Sequence, residues 1–148
     1  MSQTVKLTCT TCGQMNRVPV ALLASGPKCG SCGEALMAGD VRDLDARSHD
    51  RATRGDELPL LVDYWAPWCG PCRSMAPEFA KAATLLAPHA RFAKLNTEDH
   101  PDIASRAGIR GIPALILYHH GREVARLAGA RPAADIAAFV QGHLTTSV

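Results

Sequence analysis

The pattern of apolar and polar positions divides the chain into two stretches of different character. Up to about residue 38, Thr, Gly, Ser and Cys are prominent and no long apolar face repeats with a helical or strand period. From Val41 onward, strand-type and helix-type patterns alternate, as expected of a layered α/β domain. Residues 44–54 read as a polar helix. Residues 58–66 are an apolar run of buried-strand type interrupted by Asp63. Gly70-Pro71 should open a helix, because proline suits the first helical position. Phe79, Ala82, Ala83 and Leu86 continue that helix at i, i+3, i+4 and i+7, and Pro77 inside it should bend it. Residues 91–96 form a second strand, 101–107 a short helix and 114–118 a third strand. His120-Gly121 then turns the chain into a hairpin with residues 123–127. Pro132 begins a closing helix whose Ile136, Phe139, Val140 and Leu144 make one apolar stripe. Two modules are therefore expected, residues 1–38 and 39–148.

Composition narrows the functional classes. A segment of about 38 residues buries too little surface to fold unaided, and at that size a metal or disulfide usually supplies the difference. The net charge is +2 and the basic residues are scattered, which predicts neither nucleic acid nor a membrane surface as partner. The first nine residues are polar and no apolar run approaches a membrane span, so a cytoplasmic location is the expectation. There, cysteines read more naturally as metal ligands or redox catalysts than as structural disulfides.

All six cysteines fall in Cys-x-x-Cys pairs. Cys9/Cys12 and Cys29/Cys32 have the spacing of a four-cysteine zinc knot, and a glycine follows each pair. Such knuckles turn the backbone tightly between two sulfurs, and the following glycine relieves the positive φ the turn demands. Four thiolates then close a tetrahedron with no open position, so the expected cofactor is one structural Zn2+. Tetrahedral sulfur also admits iron, and a second redox-active dithiol set is a further alternative. The sequence calls for no organic cofactor.

Cys69-Gly70-Pro71-Cys72 has a different setting, directly after an apolar strand and at the start of a helix. Unsatisfied N–H groups and the helix dipole favour an anion there, and the thiolate is the form that attacks disulfides. Cys72, one turn further in, suits the resolving role. Asp63, six residues before Cys69, would be costly to bury without a purpose. Burial should raise its pKa toward neutrality, as a general acid/base serving Cys72 requires. Lys94 is a candidate partner for Asp63, and Pro113 precedes an apolar strand where a cis bond is conceivable. The histidines lack ligand spacing, and His119-His120 reads as an exposed turn.

Val62-Asp-Tyr-Trp-Ala-Pro-Trp-Cys-Gly-Pro-Cys72, with Pro77, Lys94, Gly111-Ile-Pro113, Gly121 and Gly129, resembles the thioredoxin family. With the four amino-terminal cysteines, the whole chain is similar to its zinc-binding bacterial type, thioredoxin 2. The resemblance implies a thioredoxin fold, a central five-stranded mixed sheet flanked by helices, here with an N-terminal zinc-ribbon-like module. It implies an exposed nucleophile at Cys69, a resolving thiol at Cys72, proton handling by Asp63 with Lys94, and a cis Pro113. Its docking surface corresponds to Trp68, Gly70, Pro71, Gly111, Ile112, Pro113 and Gly129. The implied activity is reduction of disulfide-containing target proteins by a monomer that an NADPH-dependent thioredoxin reductase recycles. A disulfide oxidase or isomerase, and a zinc-dependent binding or chaperone module, are the alternatives. Tyr64 stands where phenylalanine is usual, and Ala128 where a larger aliphatic residue is common.

Overall fold

The computed structural model describes residues 3–144. Its larger part is a five-stranded sheet in the order β3-β5-β4-β6-β7: β3 (Val41–Asp43), β4 (Leu60–Trp65), β5 (Arg91–Asn96), β6 (Ala114–His119) and β7 (Arg122–Ala128). β4 pairs in parallel with β5 and antiparallel with β6, so the sheet is mixed. Four helices complete the domain: α1 (Ala46–Gly55), α2 (Gly70–Leu86), α3 (Pro101–Arg106) and α4 (Ala133–Leu144).

The alternation of β4 explains the layering. Leu60, Val62 and Tyr64 face one side, where they pack with Ala52 of α1 and Ile103 of α3. Leu61 faces the other, with Met75 and Phe79 of α2 and Ile136 and Val140 of α4. By the same period of two, Asp63 lies on the α2 side. α1 begins where Asp45 caps it, its side chain accepting from the Ser48 N–H at 2.8 Å while Ser48 Oγ accepts from the Asp45 N–H at 3.0 Å. α2 runs continuously through Pro77. His120-Gly121, at φ 53° and 80°, forms the two-residue turn of the β6–β7 hairpin, a type I′ pattern.

The amino-terminal stretch is a small module of its own. β1 (Thr4–Thr8) and β2 (Met15–Pro19) form an antiparallel hairpin, followed by a 3-10 turn over Val20–Ser25. Leu7, Val18, Leu23, Cys29 and Leu36 make a core too small to stand alone. The module docks at the amino-terminal end of β4 and β5. The Thr8 N–H donates to Asp56 Oδ1 at 2.7 Å, and Arg91 Nη2 donates to the Thr8 carbonyl at 2.8 Å. Arg91 and Asp56 are themselves paired at 2.7 Å and buried. Two residues earlier, the Lys6 N–H donates to Glu57 Oε1 and the Lys6 carbonyl accepts from the Glu57 N–H.

Candidate active site and metal centre

β4 delivers the chain to the redox pair. Cys69 takes the N-cap position of α2, where its sulfur accepts from the Cys72 N–H at 3.2 Å. An anion at that sulfur meets the positive end of the helix. Cys69 and Cys72 are joined as a disulfide with a Cα–Cα distance of 5.3 Å. Arg73 braces the approach, donating through Nη1 to the Pro67 carbonyl at 2.7 Å. Across from the pair, Cys69 Sγ lies 3.8 Å from the Ile112 carbonyl oxygen, and the Ile112–Pro113 bond is cis. Gly129 follows that loop, its N–H donating to the Pro113 carbonyl at 2.9 Å.

These contacts unite the sequence-predicted docking positions. Trp68 is 67% exposed beside the pair, and a Cβ on Gly70 or Gly111 would meet nothing within 4 Å. The surface is therefore open around a covered disulfide. One expectation needs correction. Cys69 retains 5% of its accessible surface and Cys72 retains 2%, so the order is the implied one but Cys69 is not broadly exposed. In the disulfide its sulfur is bonded to Cys72 on one side and faces the Ile112 carbonyl on another.

Asp63 is 3% exposed, and its Oδ1 has no hydrogen-bond partner. Burial pushes its carboxyl up to about 7, with the charge of Lys94 opposing. Lys94 is its register neighbour on β5 but does not hydrogen-bond to it. Lys94 Nζ stands 3.8 Å from Asp43 and 4.9 Å from the Trp65 ring centre. Its influence on Asp63 is therefore through its field rather than a direct bond.

At the far end of the molecule the two knuckles are near copies. Gly13 and Gly33 donate N–H to the carbonyls of Cys9 and Cys29 at 2.8 and 2.9 Å, at φ 82° and 80°. The sulfurs of Cys9 and Cys32 are 3.6 Å apart and those of Cys12 and Cys29 3.7 Å, with all four within 4.8 Å of one another. A tetrahedral ion with metal–sulfur bonds of about 2.3 Å has sulfur–sulfur edges near 3.8 Å. The four side chains fit such an ion. Backbone N–H groups of Cys32 and then Ser31 pull the Cys29 thiol down to about 6, whereas, against the Glu34 N–H, desolvation and the three neighbouring thiols push Cys32 up to about 12.

Two arrangements escaped the sequence reading. One is the Asp56–Arg91 clamp on Thr8. The other is a chain in which His49 Nδ1 meets Asp50 at 2.9 Å, His49 Nε2 meets Tyr64 Oη at 2.7 Å, and Tyr64 Oη meets Tyr118 Oη at 2.6 Å. Tyrosine in place of the usual phenylalanine at position 64 was the available signal for this second arrangement.

Comparison with known proteins agrees with the geometry. Residues 40–142 match the family model described as Thioredoxin, and residues 8–34 match a zinc-ribbon model described as Thioredoxin 2, N-terminal. Thioredoxin C-3 of Corynebacterium nephridii is 41% identical over 124 residues, spanning 84% of this chain and 85% of that protein. A Haemophilus influenzae thioredoxin is 38% identical, spanning 71% of this chain and 98% of its own. Among solved structures, a mutant thioredoxin from Halobacterium salinarum superposes with a TM-score of 0.66 at 24% identity, over 73% of this chain and 94% of that one, and shows the fold.

Proposed function

The chain belongs to the thioredoxin family and is a thiol–disulfide reductase, and from that premise we propose how its residues divide the work. Cys69 is the nucleophile and Cys72 the resolving thiol. The Cys69 thiolate attacks one sulfur of a target disulfide, forming a mixed disulfide and expelling the other sulfur as a thiolate that takes up a proton. Asp63 accepts the Cys72 proton. The Cys72 thiolate attacks Cys69 Sγ, and the target's second sulfur leaves and is protonated. The target gains two electrons and two protons, and Cys69–Cys72 is left as the disulfide. The observation that carries this reading is the Cys69 sulfur as N-cap of α2, accepting the Cys72 N–H at 3.2 Å. That contact stabilises the attacking thiolate before any substrate arrives.

Asp63 suits its role because its carboxyl, pushed up to about 7, exchanges protons in the physiological range. Lys94 keeps it from rising further. Trp68, Gly70, Pro71, Gly111, Ile112 and Gly129 form the docking surface, and Pro113 presents the Ile112 peptide to an extended substrate segment, which pairs with it as a transient strand. An NADPH-dependent thioredoxin reductase restores the dithiol in the cytoplasm, and the protein works as a monomer. Residues 1–38 are the metal module and 39–148 the redox domain. Cys9, Cys12, Cys29 and Cys32 would hold one Zn2+, which when bound ties the two knuckles together and takes no part in electron transfer.

Turbidimetric insulin reduction with NADPH and a thioredoxin reductase tests the assignment, with metal content measured on the same sample. Cys69→Ser should abolish turnover while leaving one zinc per chain. Turnover that persists in Cys69→Ser would place the chemistry elsewhere.

A further inference from the structure

The basic residues look scattered along the sequence, but the fold collects many of them on one face. α1 carries Arg51 and Arg54. The β6–β7 turn packs against its end so closely that a Cβ on Gly121 would lie 2.7 Å from the Arg54 carbonyl, which brings His120 and Arg122 to either side of Arg54. From the other side the β1–β2 hairpin contributes Lys6 and Arg17. Hollows of about 390, 700 and 380 Å³ meet there, and Arg54 lines all three.

Seven lysine and arginine side chains line this trough against three carboxylates, an excess of +4. The whole chain carries only +2, so the rest of the molecule is net negative by two. The three carboxylates are already engaged. Asp50 binds His49 and Arg106, Glu123 binds Arg126, and Glu57 accepts from the Lys6 N–H. Among the cations, Arg51 donates to the Gly13 carbonyl at 2.8 Å. The head groups of Lys6, Arg17, Arg54 and Arg122 have no hydrogen bond or ion pair among the described residues.

We propose that this trough holds an acidic, extended segment of a partner protein. Its length suits a chain better than a compact metabolite, since three joined and open hollows exceed a usual single-ligand pocket. Four free cations along an open groove complement a segment that carries several carboxylates. Its aromatic lining is Tyr118, His49 and His120, with neither tryptophan nor phenylalanine; Tyr118 and the buried His49 are both tied to the Tyr64 hydroxyl, which leaves little free ring face for the base stacking that single-stranded nucleic acid favours. The trough borders the amino-terminal end of β4 on the α1 face, whereas Cys69 follows the carboxy-terminal end and opens α2. An occupied trough therefore leaves Trp68 and the Ile112 loop free, so that a partner is held while the redox pair works.

The test is fluorescence anisotropy of a labelled twelve-residue peptide of alternating Glu and Ser, titrated with the full-length, metal-containing chain at low salt. Saturable binding is expected. Arg54→Ala with Arg122→Ala should weaken it by roughly ten-fold, and Arg17→Ala with Arg122→Ala should do the same. A charge-matched control, Arg42→Ala with Lys81→Ala, should leave binding intact. All of these variants should retain wild-type insulin reduction, since none alters the redox site. Absence of binding, equal weakening by the control, or displacement of the peptide by an equimolar twelve-nucleotide DNA strand would overturn the proposal.

Discussion

Asp63→Asn should stabilise the protein in alkaline solution while impairing its turnover. The ordinary carboxyl value is 3.8 and burial lifts that of Asp63 to about 7. Below the lower value, folded and unfolded chains both hold the proton. Between the two, the folded state retains a proton that the unfolded state has lost, so stability falls as pH rises. Above about 7 both states are ionised and the loss is complete. At about 1.4 kcal/mol per pH unit over this window, the buried charge costs the fold on the order of 4 kcal/mol by pH 8. Asparagine removes the charge but still buries an amide, so roughly half of that should be recovered. For a chain of this size that is a rise in melting temperature of about 4–8 °C at pH 8.5, shrinking toward nothing at pH 4. The assay is thermal unfolding of wild type and variant by circular dichroism from pH 4 to pH 9, with metal retained. The same variant should slow resolution by Cys72, seen as accumulation of mixed disulfide in stopped flow. Parallel stability curves for the two proteins between pH 5 and pH 8 would refute the buried-acid reasoning.

Four further outcomes follow from other contacts. Cys72→Ser should trap target proteins as mixed disulfides on Cys69, releasable by dithiothreitol and counted by non-reducing electrophoresis; a variant that captures nothing would contradict the assignment of roles. Gly121→Ala should lower stability by about 2 kcal/mol or more in urea unfolding, because φ is +80° and the added Cβ meets the Arg54 carbonyl at 2.7 Å. Gly26→Ala, at φ +74° with nothing within 4 Å, should lose only about 1 kcal/mol. Arg91→Met should destabilise the chain by about 3–5 kcal/mol, since it strips the buried Asp56 carboxyl of its ion-pair partner, and should speed amide exchange throughout β1.

The legible parts of the fold were those where local pattern and local chemistry agree. Residues 58–66 announced a buried strand, and Asp63 stood out because nothing about an apolar run calls for a carboxylate. The three Cys-x-x-Cys pairs sorted themselves by context, two followed by knuckle glycines and one by Pro71 and a helical stripe. β3 was invisible because three residues, Val41–Asp43, offer no period to detect. β1 and β2 were hidden for a related reason: their apolar positions face a tiny core and a neighbouring domain, and one side of each is half-exposed. The Asp56–Arg91 clamp lies 35 residues apart in sequence and joins groups that look like ordinary surface charges, so only the fold reveals that they meet. His49 has no ligand spacing in the sequence, and nothing local in the sequence marks it as a packing residue. Its role is to pair with Tyr64 and Asp50 inside the sheet's other face.

The four-cysteine cluster and the redox pair sit at opposite ends of the same sheet, which limits what an ion held there could do. Cys9 follows Thr8, and Thr8 is held where β5 begins at Arg91, beside the first residue of β4. Cys69 lies beyond the last residue of β4, a strand of six residues and so about 20 Å away along its axis. No sulfur of the knot can take part in the exchange chemistry over that span. What the ribbon does supply is occupancy of two buried charges. Asp56 accepts from Thr8 N–H and from Arg91, and Arg91 donates to Asp56 and to the Thr8 carbonyl. Without Thr8, one oxygen of Asp56 and one nitrogen of Arg91 lose their partners at a buried site, a penalty of a few kcal/mol for the redox domain itself. The ribbon is too small to hold Thr8 there without its four-sulfur knot. A metal held by the four sulfurs would therefore stabilise the redox domain through one peptide unit, by keeping an internal ion pair fully bonded.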